Sequence, residues 1–91
     1  MGVKDYLVGK TASADTEDKI KKAVLELNAI EEITELDTMY IGSEKLLVHL
    51  DVNVKSVDPE NLEQTINLIK KNIRKEVPIV YAIQIEINKV L

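Results

Sequence analysis

Hydrophobic positions recur along this 91-residue chain with two different periods, and the switches between them mark five elements. Over residues 13 to 27, Ile20, Val24 and Leu27 fall at i, i+4 and i+7, the spacing of one buried helix face. Ser13 or Asp15 can cap that helix, and Asp15, Glu17 and Asp18 suit its positive end. Residues 32 to 41 read as a strand with looser alternation. Leu36 and Tyr40 share one face with Thr34 and Thr38, while Ile33, Glu35, Asp37, Met39 and Ile41 take the other. Gly42-Ser43-Glu44 supplies a three-residue turn, where glycine can take positive φ without steric cost.

The clearest signal follows. In KLLVHLDVNV, residues 45 to 54, Leu46, Val48, Leu50, Val52 and Val54 point one way. Lys45, Leu47, His49, Asp51 and Asn53 point the other, which predicts a half-buried antiparallel strand. Asp58 at the N-cap and Pro59 at N1 open a second helix that runs to about Lys75, with Leu62, Ile66, Ile69 and Ile73 on one face. Lys70, Lys71, Arg74 and Lys75 suit its negative end, and Pro78 stops it. In the last strand Ile79, Tyr81, Ile83, Ile85 and Ile87 alternate inward, with Ala82, Gln84, Glu86 and Asn88 outward.

The order is αββαβ, an α+β class. Three strands with two helices on one face make a two-layer sandwich, and the link between the second and third strands is long enough for a crossover. Residues 1 to 91 read as one domain, with no internal repeat, linker or low-complexity segment.

Composition narrows the function. Apolar residues make up 45% of the chain and charged residues 31%, a globular rather than disordered profile. A net charge of −4 disfavours nonspecific binding to nucleic acid, and the chain has no Trp or Phe to stack on bases. With no cysteine there are no disulfides, thiol nucleophiles, iron–sulfur clusters or thiolate zinc sites. The three glycines are isolated, so no phosphate-cradling loop is present, and no activated nucleophile points to an enzyme. No apolar run reaches the length of a membrane span, and the start lacks the apolar stretch of a signal peptide. The expected location is the cytoplasm.

His49 is the only histidine, and it falls on the sheet face without a helix cover. With the three-residue turn, Ile41 pairs with Lys45 and Asp37 lies opposite His49; a two-residue shift would put Glu35 there instead. A one-residue shift would bury Asp37 or His49. Gln84 and Glu86 from the third strand reach the same face. Histidine with carboxylates can hold Zn²⁺, or harder divalent ions where oxygen dominates. The same residues also read as a solvated ion pair on a polar face.

Several strings together are similar to a known family. YLVGKTAS (6–13), Glu35-Leu36-Asp37-Thr38 through Ile41-Gly42, LVHLD (47–51) and Asn61 to Pro78 resemble the C-terminal cytoplasmic domain of cation diffusion facilitator (cation efflux) transporters. The YLVGKTAS string resembles the family's start just after its last membrane helix. The resemblance implies a metallochaperone-like, ferredoxin-like αββαβ domain that forms a homodimer in the cytosol. It further implies binding of regulatory divalent cations (Zn, Fe or Mn) near the dimer seam, beneath a membrane-embedded transporter domain of the same full-length chain. Carried over by position, His49 matches the family's strand histidine, and Glu86 the acidic end of its last-strand pair. The expected metal residues are therefore His49, Glu86 and Asp37. Gln84, Glu63 and Thr34 stand where the family often has further histidines. Two functions follow: a metal-sensing regulatory and dimerisation domain of an efflux transporter, or a purely structural homodimerisation module with no metal site.

Overall fold

The computed structural model describes residues 9–55 and 58–90. The readings that touch Met1 to Val8, including the front of YLVGKTAS, and the Ser56-Val57 lead into the second helix lie outside the described residues. The elements run α1 (Ala14–Leu25), β1 (Ile30–Gly42), β2 (Lys45–Val54), α2 (Pro59–Glu76) and β3 (Val80–Val90), the expected αββαβ order.

Strand order is β1-β2-β3, with β1 antiparallel and β3 parallel to the central strand. Centrality follows from sequence: β2 carries the most regular alternation, and its inward residues Leu46, Val48, Leu50, Val52 and Val54 are all fully buried. Each such side chain is worth about 1.5–3 kcal/mol when removed from water. Ile20 and Val24 of α1 and Ile69 and Ile73 of α2 close over them from one side. The Asn72 amide donates to the Ala23 carbonyl at 3.2 Å and ties the helices together.

The helix ends obey local chemistry. Ser13, not Asp15, is the N-cap of α1, its Oγ accepting from the Thr16 N–H at 3.1 Å. The helix stops two residues early, because Leu27 N–H turns to the Val24 carbonyl and Ile30 N–H to Leu27, a tighter ladder than the α-helix. Asp58 caps α2 through its backbone, with its carbonyl accepting from the N–H groups of Asn61 and Leu62.

Bulges account for the departures from simple alternation. A register shift between Ile33 and Glu35 turns Ile33 to the core side, where it packs against buried residues. Thr34 is freed by the same shift to accept a 2.9 Å hydrogen bond from the Asn88 amide of β3. A second shift between Tyr40 and Gly42 leaves Ile41 unpaired, so Gly42 faces Lys45 across a two-residue Ser43-Glu44 turn rather than a three-residue one. The bulge restores the one residue removed from the turn, and the register further down the hairpin is the expected one. Gly42 does not take positive φ; among the described residues that conformation belongs to Gly9, at +83°.

Another shift, between Leu46 and Leu47, matters at the start of β3. It places Val80 inward, 5% exposed, and swings Tyr81 out to 60% exposure, reversing the expected facing of both. Beyond it Ile83, Ile85 and Ile87 face Val48, Leu50 and Val52 as the alternation requires.

The segment before α1 is fastened to the free edge of β1. Gly9 N–H donates to the Tyr40 carbonyl and Tyr40 N–H to the Lys10 carbonyl, both at 2.8 Å. Thr38 Oγ1, buried, accepts from Ala12 N–H and donates to Glu17 Oε2, each at 2.8 Å. One threonine thus joins this leading segment, α1 and β1.

Candidate metal centre

Strand register builds the outward face row by row. Asp37 stands opposite His49, and His49 opposite Gln84. In the next row Glu35 stands opposite Asp51, and Asp51 opposite Glu86. A row of three carboxylates therefore crosses all three strands, with a fourth, Asp37, beside it. No lysine or arginine occupies either row. Like charges directly opposite in a sheet repel, and a cation among them would relieve the repulsion.

His49 supplies part of one. Its Nε2–H donates to Asp51 Oδ1 at 2.9 Å, and both side chains are partly shielded, with 33% and 18% of their surfaces exposed. That hydrogen bond is the main cause of a raised His49 pKa; partial burial opposes it, and the charges of Asp51, Glu86 and Glu35 add to it. The Glu35 pKa is raised as well, first by a hydrogen bond shared with Asp37, then by the charges of Asp37 and Asp51, with His49 acting against them. Both shifts rest first on a hydrogen bond, His49 with Asp51 and Glu35 with Asp37, and the neighbouring carboxylate charges add to it.

Ligand atoms of Glu35, His49 and Asp51 all lie within 4.8 Å of one another. Ligands at about 2.0–2.2 Å from one ion stand roughly 3–4 Å apart, so small side-chain adjustments would let the three share one. An imidazole and two carboxylates suit Zn²⁺ and the harder first-row divalent ions alike.

The expected set was His49, Glu86 and Asp37. The structure puts Asp37 directly across from His49 and places Glu86 close enough to act on its charge, but neither belongs to the tight trio. Glu35 and Asp51 are the carboxylates grouped most tightly with His49 among the described residues. Both were legible: His49-x-Asp51 is an i, i+2 pair, which a strand must put on one face, and Glu35 lies on the same face of β1 as Asp37. Asp51 is the same-strand neighbour of His49, and Glu35 stands across from Asp51.

No protein-family model and no curated relative matches the sequence. Solved structures do match. A copper form of the MamM CTD superposes with a TM-score of 0.74 at 10% identity, covering 82% of this chain and 94% of that one. A nickel form gives 0.77 at 9% identity, over 85% and 98% of the two chains, and a cadmium form 0.76 at 9%, over 84% and 95%. The fold is that of the MamM CTD. An α+β fold of two helices and a three-stranded sheet is thus shared across domains of very different sequence.

Proposed function

We propose that the chain is the cytosolic dimerisation and regulatory domain of a divalent-cation efflux transporter, and that it senses metal at the bare sheet face. All 91 residues form one such domain. Two lines support the reading. The sequence resembles the C-terminal domains of cation diffusion facilitators, and the MamM domains that share its fold are cytoplasmic domains of such transporters. The observation that carries the metal assignment is the three-strand carboxylate row beside a lone histidine.

Glu35, His49 and Asp51 would hold the ion, with Asp37 and Glu86 as neighbouring carboxylates that raise the local negative potential. Bound metal would supply the positive charge that the rows lack. Three ligands leave a coordination position open in a tetrahedral site. A residue from a second copy filling it would make the ion bind the closed dimer better than the open one, and that difference alone shifts the population. The ion is of the Zn, Fe or Mn type. No helix among the described residues is long and apolar enough to cross a membrane, and the membrane-embedded part of the transporter would be joined through the leading segment.

A plain dimerisation module is the second reading. Met39 and Ile41, 42% and 40% exposed toward the turn end of β1, favour it, since apolar side chains left in water suit an interface. Sedimentation equilibrium of the chain with Zn²⁺, Mn²⁺ or a chelator separates the two. The regulatory reading predicts a dimer that tightens with metal. A dimer indifferent to every ion supports the structural module, and a monomer under all conditions removes both.

A further inference from the structure

The molecule gathers exposed cations at the end where the leading segment meets the sheet. Gly9 and Lys10 pair with Tyr40, Tyr40 stands opposite Leu46, and Leu46 opposite Val80. The leading segment, the β1–β2 turn and the start of β3 therefore lie at one level, about 14 Å apart from first to last at the usual strand spacing. The last turn of α2 reaches this level too, since Arg74 donates a long 3.4 Å hydrogen bond to the Tyr81 carbonyl.

Tyr81 is the centre of the cluster. The register shift that leads β3 turns its ring into solvent, 60% exposed, where alternation alone would have buried it. Lys45 Nζ sits 5.2 Å from the ring centroid, within cation–π range. Lys71, Arg74 and Lys75 are exposed and Lys70 half-buried on the adjoining turn of α2. Against these five cations stand Glu44 in the turn and Glu76 at the helix end, a local excess of positive charge on a chain of net charge −4. The acidic first turn of α1 lies at this end too, with Asp15 3.8 Å from Lys19 and Glu17 turned to Thr38 of β1. The same register shift that leads β3 seats Val80 in the core and leaves the Tyr81 ring outside it.

We propose that this tyrosine-centred basic end binds the anionic headgroup surface of a lipid bilayer. The proposal rests on the transporter reading for the location of the bilayer, because there the membrane-embedded part joins through the leading segment at this same end. Lysines and arginines near an anionic leaflet are attracted to its phosphates and carboxylates, and tyrosine settles at the headgroup level with its ring down and its hydroxyl in water. Bound there, the domain would be held at a fixed attitude to the membrane while the outward face remained free for metal.

Co-sedimentation of the full 91-residue chain with phosphatidylcholine vesicles, with and without phosphatidylserine, tests the idea. Binding to the anionic vesicles alone is expected, weakening as salt rises. Removing cations should lower the partition coefficient about fivefold per charge, so Lys71→Ala with Lys75→Ala costs about 25-fold, and Tyr81→Ala weakens binding further. Lys21→Ala with Lys22→Ala, on the exposed side of α1, should leave it unchanged. All the substituted side chains are exposed, and an unaltered melting temperature verifies folding. No binding, equal binding to neutral vesicles, equal loss in the α1 pair, or tighter binding to single-stranded RNA overturns the proposal. Metal titration on the same preparation keeps the readings apart: vesicle binding absent with metal binding present overturns the lipid proposal alone.

Discussion

His49 and Asp51 stand two positions apart on the central strand, and Nε2 of one lies 2.9 Å from Oδ1 of the other. The pair is the hinge of the outward face. It joins the Asp37 row to the carboxylate row and offers the only imidazole of the chain beside a fixed acidic partner.

The face should respond to pH in a defined direction. A raised pKa means that the folded chain holds its proton more tightly than the unfolded one. For His49 the resulting stabilisation is fully present below its ordinary value of 6.5 and is lost as pH climbs through the folded value. Glu35 acts with the same sign from its ordinary 4.5 upward. The melting temperature of the metal-free chain should therefore fall between pH 5 and 8, and His49→Gln should flatten the upper part of that fall. Metal competes with the same protons, so saturating Zn²⁺ should reverse the slope. Stability that rises with pH in chelator would contradict the account.

Relieving the repulsion should stabilise the metal-free protein. Glu35→Gln removes one charge from the row while keeping the shape, and its melting temperature in chelator should exceed that of the parent chain. The same substitution should shrink the rise produced by metal. A variant less stable in chelator would show that the carboxylate row is not under electrostatic stress.

Facing of the central strand can be read from two leucines. Leu50 is fully buried, and Leu50→Ala should cost about 2–5 kcal/mol. Leu47, half-buried on the outward face, should cost about 1 kcal/mol or less in the same exchange. Chemical denaturation measures both, and equal costs would be incompatible with the register.

Thr38 carries the fastening of the leading segment. Thr38→Val strands the Ala12 N–H and frees Glu17, and should cost about 1–3 kcal/mol. Amide exchange at residues 9 to 12 should accelerate, while exchange in the core of β2 slows or quickens only with global stability.

Much of this architecture was legible in the sequence. The alternation of residues 45 to 54 and the Asp58-Pro59 helix start could hardly be read otherwise, and the Asp37–His49 pairing followed from register and burial. What stayed hidden were the register shifts, among them those at Ile33/Glu35, Tyr40/Gly42 and Leu46/Leu47. A bulge inserts one residue without altering composition or average periodicity, so Ile33 and Tyr81 each took the wrong face in a strict alternation. Of the trio, His49 and Glu35 stood out from the sequence and Asp51 did not, although a strand's own i+2 neighbour shares its face.

Glu35, His49 and Asp51 are the proposed ligands of one divalent ion. Isothermal titration of Zn²⁺ and Mn²⁺ into the chain, and into His49→Ala and Asp51→Asn, tests this most directly. Removing one of three ligands should weaken binding at least tenfold and abolish the metal-induced rise in melting temperature, while Gln84→Ala leaves both intact. Unchanged affinity in both ligand variants would contradict the assignment.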